Sequence, residues 1–119
     1  MGYAFGSIDE LGEGFGFRKV RRALGVTAFG VNAVVIPPGF TSHRHLHERQ
    51  EELYFVHRGT VEFRFGDDDV QTLGPGGFAR VDPSTVRSFH NPSDTEDAVY
   101  VCVGGAGGYV GRDGLQPDD

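Results

Sequence analysis

The chain has little that could crosslink it. It contains a single cysteine, Cys102, among 119 residues. One cysteine excludes an internal disulfide, so the fold must be held by its own core. Cys102 lies in the apolar run VYVCVGG. Because free cysteine is usually buried, we expect a core residue rather than a reactive thiol.

Long apolar runs are also lacking. No stretch approaches the roughly 18 consecutive apolar residues of a membrane helix. The first residues, MGYAFGSIDELGEG, lack the basic region and apolar stretch of a secretory signal. We therefore expect a soluble cytoplasmic protein with no membrane partner.

Positive charge is scarce. The chain has 11 Lys and Arg against 17 Asp and Glu, for a net charge of −6. Nucleic-acid binders normally present a basic face, because phosphate contacts dominate their affinity, so we expect no nucleic-acid partner. The basic cluster RKVRR (18–22) is expected on the solvated face of an N-terminal strand.

Short runs rich in Val, Phe, Tyr and Thr fill the space between 19 glycines and 6 prolines. Examples are 26–36, 52–58, 60–65 and 97–103, and the third alternates apolar and polar residues before the turn GDDD. This pattern predicts a single all-β domain over 1–119, a sandwich or barrel. SIDELGEG is expected to form one helical turn, and the Gly-rich segment 104–119 a frayed or loosely docked tail.

Three histidines, His43, His45 and His47, alternate along one predicted strand. Alternate side chains of a strand share a face about 6.7 Å apart, so two imidazoles can reach one metal but three cannot easily do so. Glu51 or Glu52 on the next strand can supply a carboxylate across a hairpin. Two His and one carboxylate form the donor set of non-haem Fe(II) sites, and they also suit Mn, Ni or Zn.

Residues 39–59, GFTSHRHLHERQEELYFVHRG, resemble the first sequence motif of the cupin family. That motif is matched by Gly39, His45, His47, Glu52 and Gly59, and the final glycine selects Glu52 over Glu51. The resemblance implies a cupin-type (jelly-roll) β-barrel of two antiparallel sheets. Its core would cover about 25–103, with an N-terminal strand arm at 1–24.

The second cupin motif is matched less completely by GFARVDPSTVRSFHN, 77–91. Gly77, Pro83 and Asn91 fit, but Arg87 stands where the family has a metal-binding histidine. Arginine has no free lone pair and cannot replace that ligand. Cupin metal sites usually carry three His and one Glu, so the resemblance implies an incomplete set here.

Three arrangements remain open. In the first, His45, His47 and Glu52 hold the metal, and Arg87 binds a substrate carboxylate or phosphate. In the second, no metal binds, and Arg87 pairs with Glu52 beside an anion or small-ligand pocket. In the third, another histidine completes the donor set: His43, or less favourably the outward-facing His90.

Two functional hypotheses follow from the resemblance. One is a metal-dependent cupin holding one divalent Fe, Mn, Ni, Zn or Cu ion and acting, oxygenase- or isomerase-like, on a small anionic organic substrate. The other is a non-catalytic small-molecule binding or sensing module, with or without a metal, in which Arg87 is the anion anchor. In both, Arg87, Tyr54 and Phe89 are candidate ligand-binding residues. A homodimer paired through the N-terminal strand around FGFRKVRRAL is also expected.

Overall fold

The computed structural model describes residues 2–117, and strands dominate it. In chain order they are β1 (Gly16–Arg18), β2 (Gly30–Ile36), β3 (Leu46–His47), β4 (Glu51–Arg58), β5 (Val61–Phe65), β6 (Asp69–Leu73), β7 (Phe78–Val81), β8 (Arg87–His90), β9 (Ala98–Gly105) and β10 (Gly114–Leu115). Helical structure is limited to a 3₁₀ turn at Asp9–Leu11 and one α-helix, α1, at Val20–Leu24. Within 2–117, no helix is long and apolar enough to span a membrane.

Two antiparallel sheets form the barrel. One has five strands in the order β1-β2-β9-β4-β7, and the other has three in the order β6-β5-β8. This confirms the expected all-β fold with two antiparallel sheets. A further two-stranded sheet, β10-β3, was not foreseen, because its partners are far apart in sequence.

The core between the two sheets follows the alternation seen in the sequence. On β5, Val61 and Phe63 are fully buried, whereas Arg64 is exposed. The interior is aromatic: Tyr54, Phe63 and Phe89 are buried and contact one another edge to face or tilted, and the partly buried Phe65 packs against them. Burial of such rings is the largest apolar contribution that a small barrel has available.

Two glycines of the first motif hold left-handed backbone. Gly39 and Gly59 both have a φ of 75°, which glycine adopts without the penalty that a Cβ atom imposes. A Cβ on Gly59 would also lie 2.8 Å from the carbonyl oxygen of Asp97. Gly59 therefore ends β4 and lets the chain from Asp97 into β9 pass close by.

The N-terminal segment differs from the expectation. Only Gly16–Arg18 is a strand, paired with β2, and the rest of the basic cluster forms α1. The expectation of a strand through 22 was wrong. Val20 and Leu24 have the i, i+4 spacing of a helix face, and Gly25 closes α1 in left-handed conformation by donating its N–H to Arg21. The 3₁₀ turn confirms the single helical turn expected in SIDELGEG.

The C-terminal segment is docked rather than frayed. Asp113 is 5% exposed, and β10 pairs with β3 through Gly114 opposite His47 and Leu115 opposite Leu46. The loosely docked tail predicted for 104–119 is therefore wrong over 104–105, which belong to β9, and over 113–115. Asp118 and Asp119 lie outside the described residues. Composition does not reveal the burial of Asp113 or the pairing of β10 with β3.

Candidate metal site

Three potential metal donors converge at one end of the barrel. One ligand atom each from His45, His47 and Glu52 lies within 4.8 Å of the others. His47 is on β3, Glu52 points inward from β4, and His45 forms an isolated bridge with Arg87. The turn at 48–50, between β3 and β4, brings the carboxylate to the histidine pair. The expected hairpin is wrong, because β3 pairs with β10 whereas β4 pairs with β7 and β9.

The other two histidines considered from the sequence lie elsewhere. His43 is exposed and is not among the converging donors. The ring of His90 lies 2.8 Å from the hydroxyl of Thr41 and 3.1 Å from the carbonyl oxygen of Phe40. These contacts hold the His90 ring at Thr41 and Phe40, and His90 is not among the converging donors.

The Glu52 carboxylate is the most heavily hydrogen-bonded group of the site. Its Oε1 accepts from the Tyr54 hydroxyl, and Oε2 accepts from Gln50 Nε2 at 3.2 Å and Cys102 Sγ at 3.1 Å. His47 Nε2 lies 3.1 Å from Oε1. These groups fix the carboxylate from several sides.

Glu52 is ionised despite its burial. Burial alone would raise its pKa, but hydrogen bonds from His47, Tyr54 and Cys102 and the charge of His47 outweigh burial and lower the pKa to about 2. The opposite happens to Tyr54 and Cys102. Burial and the neighbouring Glu52 charge raise the pKa of both groups, which stay protonated as donors.

His45 is held neutral. Burial and then the Arg87 charge lower its pKa, and the Glu52 charge opposes them only in part. A neutral imidazole keeps a lone pair for a metal. Together, a neutral histidine and an ionised glutamate offer the protonation states that metal binding requires.

Arg87 lies beneath the site, fully buried. Nη1 donates to the carbonyl oxygens of Pro83 (3.2 Å) and Thr85 (2.8 Å), and Nη2 donates to that of Asp82 (3.2 Å). Nη2 also lies 3.5 Å from Oε1 of Glu52. Among the buried side-chain nitrogen and oxygen atoms of the described residues, only Nε of Arg87 has no hydrogen-bond partner. The guanidinium therefore braces the 82–85 loop and pairs with Glu52, and it presents no exposed N–H to a ligand.

The other two candidate ligand-binding residues are buried as well. Tyr54 is 1% and Phe89 4% exposed, and their ring centroids lie 5.0 Å apart. Phe89 also meets the ring of His45 edge to face, with 5.8 Å between centroids. These two rings form the apolar support under the donors.

Three residues of the site had not been foreseen. Gln50 and Cys102 bond Glu52, and Asp113 Oδ2 lies 3.4 Å from Nδ1 of His47. Cys102 could have been predicted from strand pairing. It lies on β9 opposite Tyr54, so the side chains of both residues point to the inward face of the sheet. No signal in the sequence connects Asp113 with His47.

The residues present fit a divalent metal. Two imidazoles and one carboxylate meet on one side, with a charge state suited to ligation, and this donor set suits Fe, Mn, Ni or Zn. Arg87 is a nearby cation, but three carbonyl oxygens draw its guanidinium toward the loop. The fit is therefore to a three-ligand site with an arginine in place of a fourth ligand.

Comparison with known families agrees with this geometry. Residues 32–104, more than half of the chain, match the model of the cupin domain. The chain belongs to the cupin family. No curated protein was found that matches it.

Several proteins of known structure resemble this one. A cupin from Bacteroides fragilis is 20% identical over 100% of this chain and 92% of its own, with a TM-score of 0.74. A sugar phosphate isomerase of the cupin superfamily from Silicibacter pomeroyi is 30% identical over 74% of this chain, with a TM-score of 0.66. A DMSP lyase from Ruegeria pomeroyi is 19% identical over 75% of it, with a TM-score of 0.64. This cupin spans 57% of the isomerase and 43% of the lyase.

Proposed function

We propose that this cupin binds one divalent transition metal through His45, His47 and Glu52 and acts on a small anionic organic molecule. The observation that carries the proposal is the convergence of the three donors within 4.8 Å. Iron, manganese, nickel, zinc and copper are the candidate ions. The reaction would be oxygenase- or isomerase-like, and an isomerase is the neighbour with 30% identity.

The chain's own residues would prepare the site for such chemistry. A bound divalent metal would supply Lewis-acid or oxygen-activating chemistry. Tyr54, Gln50 and Cys102 hold the Glu52 carboxylate in one orientation. Arg87 braces the 82–85 loop behind it. A fixed ligand set needs little reorganisation when charge develops on a substrate.

An anionic substrate needs a cation other than Arg87, which is sealed inside the barrel. A groove of about 300 Å³ between α1 and β2 is lined by Lys19, Arg21 and Arg22 and by no carboxylate. Gly30 in this groove aligns with Gly104, and Gly104 aligns with Glu52 across the sheet. Two strand spacings separate the backbone of Gly30 from that of Glu52 by about 10 Å.

This position supports a ligand whose anionic group occupies the groove while its reacting end lies at the donors. We propose that Tyr54 and Phe89 shape the wall behind the metal donors that such a ligand would meet. Arg87 would give this wall a positive charge. The isomerase neighbour acts on a sugar phosphate, a molecule of this class. Titration with inorganic phosphate, followed by amide chemical shifts of residues 19–32, tests the groove, and a Lys19→Ala, Arg22→Ala double variant should lose those shifts.

Metal content per chain tests the metal proposal directly. Protein purified without chelators should carry close to one ion, measured by elemental analysis, and His47→Gln should lose it. His43→Gln is the matched control, because His43 belongs to the same segment but is exposed. Equal content in wild type and His47→Gln would refute the proposed donor set, and loss in His43→Gln would place that residue in the site.

A second candidate function is a metal-free binding or sensing module. The contact between Arg87 Nη2 and Glu52 Oε1, at 3.5 Å, favours it, because the carboxylate already has a cationic partner. A metal content near zero that persists after incubation with each candidate ion would select this function. The search would then turn to anionic ligands.

We further propose that the protein is a cytoplasmic homodimer. β1 is the edge strand of the five-stranded sheet, and an open edge favours pairing with a second copy. Light scattering after size exclusion would measure the mass. A Phe17→Pro variant, which removes a backbone donor from β1, should then be monomeric if the edges pair.

A further inference from the structure

The C-terminal segment reaches the metal site through a single buried carboxylate. Asp113 accepts hydrogen bonds from the backbone N–H of Gln50 at 2.8 Å and of Arg49 at 3.0 Å. Its own carbonyl oxygen accepts from the N–H of Glu48 at 3.1 Å. Residues 48–50 form the turn between β3 and β4. Asp113 therefore clamps the turn that joins two of the three candidate ligands.

The same carboxylate faces the ring of His47. Oδ2 of Asp113 lies 3.4 Å from Nδ1, and Nε2 on the opposite side of the ring faces Glu52 at 3.1 Å. Gln50 Nε2 also approaches Nδ1, at 3.2 Å. These two neighbours favour different tautomers of His47. The Asp113 carboxylate can accept a hydrogen bond from a protonated Nδ1, whereas the Gln50 amide donates a hydrogen bond to an unprotonated Nδ1.

Metal binding decides between the two tautomers. Nε2 is the ring nitrogen that faces the other donors, so it must be unprotonated to bind a metal, and the proton then belongs on Nδ1. Ligand histidines usually donate that proton to a carboxylate, which fixes the ring and strengthens the ligand. We propose that Asp113 is a positioning residue that selects the metal-binding tautomer of His47. This inference rests on the metal site proposed above.

Backbone pairing reinforces the connection. In the described part of the chain, the only ladder partner of β3 is β10, with Gly114 opposite His47. The strand that carries His47 and the tail that carries Asp113 are therefore one two-stranded unit. A metal that binds more tightly when the C-terminal segment is docked must also stabilise the docked segment. Metal binding and docking of this segment should therefore strengthen each other.

The decisive variant is Asp113→Asn. Its single side-chain oxygen can still accept from Gln50 and Arg49, so the clamp is kept. That oxygen then also faces Nδ1 of His47, as Oδ2 does in the wild type. A neutral amide oxygen is, however, a weaker acceptor for Nδ1–H than a carboxylate, so the preference for the metal-binding tautomer should weaken. We expect zinc affinity, measured by competition with a chromophoric chelator, to fall about 10- to 100-fold. Asp67→Asn, the same change at an exposed turn, should leave the affinity unchanged.

Two further measurements separate this role from a merely structural one. In zinc-loaded wild type the Nδ1–H proton of His47 should resonate far downfield, as a hydrogen bond to a carboxylate produces, and the downfield shift should be smaller in Asp113→Asn. Asp113→Glu, which keeps the charge, should retain more affinity than Asp113→Asn. A purely structural clamp predicts the reverse order, because the longer side chain fits the turn less well.

The outcomes are distinct. Wild-type zinc affinity in a folded Asp113→Asn variant would overturn the inference and leave the metal site standing. Absence of zinc binding by wild type would overturn both. If Asp113→Asn does not fold, wild type alone decides by amide hydrogen exchange with and without zinc. Zinc should slow exchange over 111–115, and unchanged exchange there would overturn the coupling.

Discussion

Replacement of Arg87 by methionine removes the charge of a buried cation while keeping most of its volume. Three carbonyl oxygens of the 82–85 loop lose their donors, and Glu52 loses its cationic neighbour. Breaking a buried pair from one side costs about 3–5 kcal/mol. Because Glu52 keeps other donors, we expect the low end, about 3 kcal/mol. At roughly 4 °C per kcal/mol, the Tm should fall by about 12 °C.

Urea unfolding in the presence of EDTA, followed by circular dichroism, measures this cost without a contribution from metal. Arg80→Met is the matched control. Arg80 forms a shorter ion pair with Glu51, at 2.8 Å, but both side chains are more than half exposed. An exposed pair contributes at most about 1 kcal/mol. The structure therefore predicts that the Arg87–Glu52 pair, although longer, contributes more to the free energy of unfolding than the Arg80–Glu51 pair.

A double variant sharpens the comparison. Glu52→Gln in the Arg87→Met background removes the carboxylate that the first change leaves without its cation. The double variant should therefore cost less than the sum of the two single changes. A loss below about 1 kcal/mol for Arg87→Met, equal to that of Arg80→Met, would refute the reasoning that burial makes this pair dominant.

Three other predictions follow from the site and the fold. The depressed pKa of Glu52, about 2 in the folded state against an ordinary value of 4.5, stabilises the protein fully above pH 4.5. This contribution should be lost as the pH falls through 2, and acid titration of Glu52→Gln should show a flatter loss of stability over the same range. Cys102 should react slowly with a disulfide reagent in native protein and rapidly in urea, because burial and Glu52 raise its pKa; equal rates would contradict this. Gly59→Ala should cost about 2 kcal/mol or more in urea unfolding, since its φ of 75° and the 2.8 Å approach to the Asp97 carbonyl oxygen leave no room for a Cβ; a neutral change would contradict this account.

The metal donors could be predicted from the sequence because they are local. His45 and His47 are two residues apart, and only the turn at 48–50 separates β3 from the start of β4, which carries Glu52. Strand alternation and the turn length therefore almost fix the relative positions of the three donors. The barrel was accessible for the same reason, since alternation on β5 already assigns Val61 and Phe63 to the core. Motif glycines then marked where strands end.

What the sequence did not reveal depends on contacts between distant segments. The hydrogen bonds from Arg87 depend on the backbone conformation of the 82–85 loop. The sequence pattern does not show in which direction the carbonyl oxygens of a loop point. Asp113 meets the turn at Gln50 across a separation of 63 residues. The helix α1 was missed because five residues are too few for periodicity to stand out, although Gly25 marked its end.

The docked tail has a practical consequence for handling this protein. Leu115 pairs with Leu46, so only four residues separate any sequence appended after Asp119 from a residue that is paired with the strand that carries His47. A polyhistidine tag placed there would bring additional imidazoles beside the donors and could contribute its own ligands to a measured stoichiometry. A tag at the N-terminus, removed by a protease, avoids this interference and should be the starting point for every metal measurement.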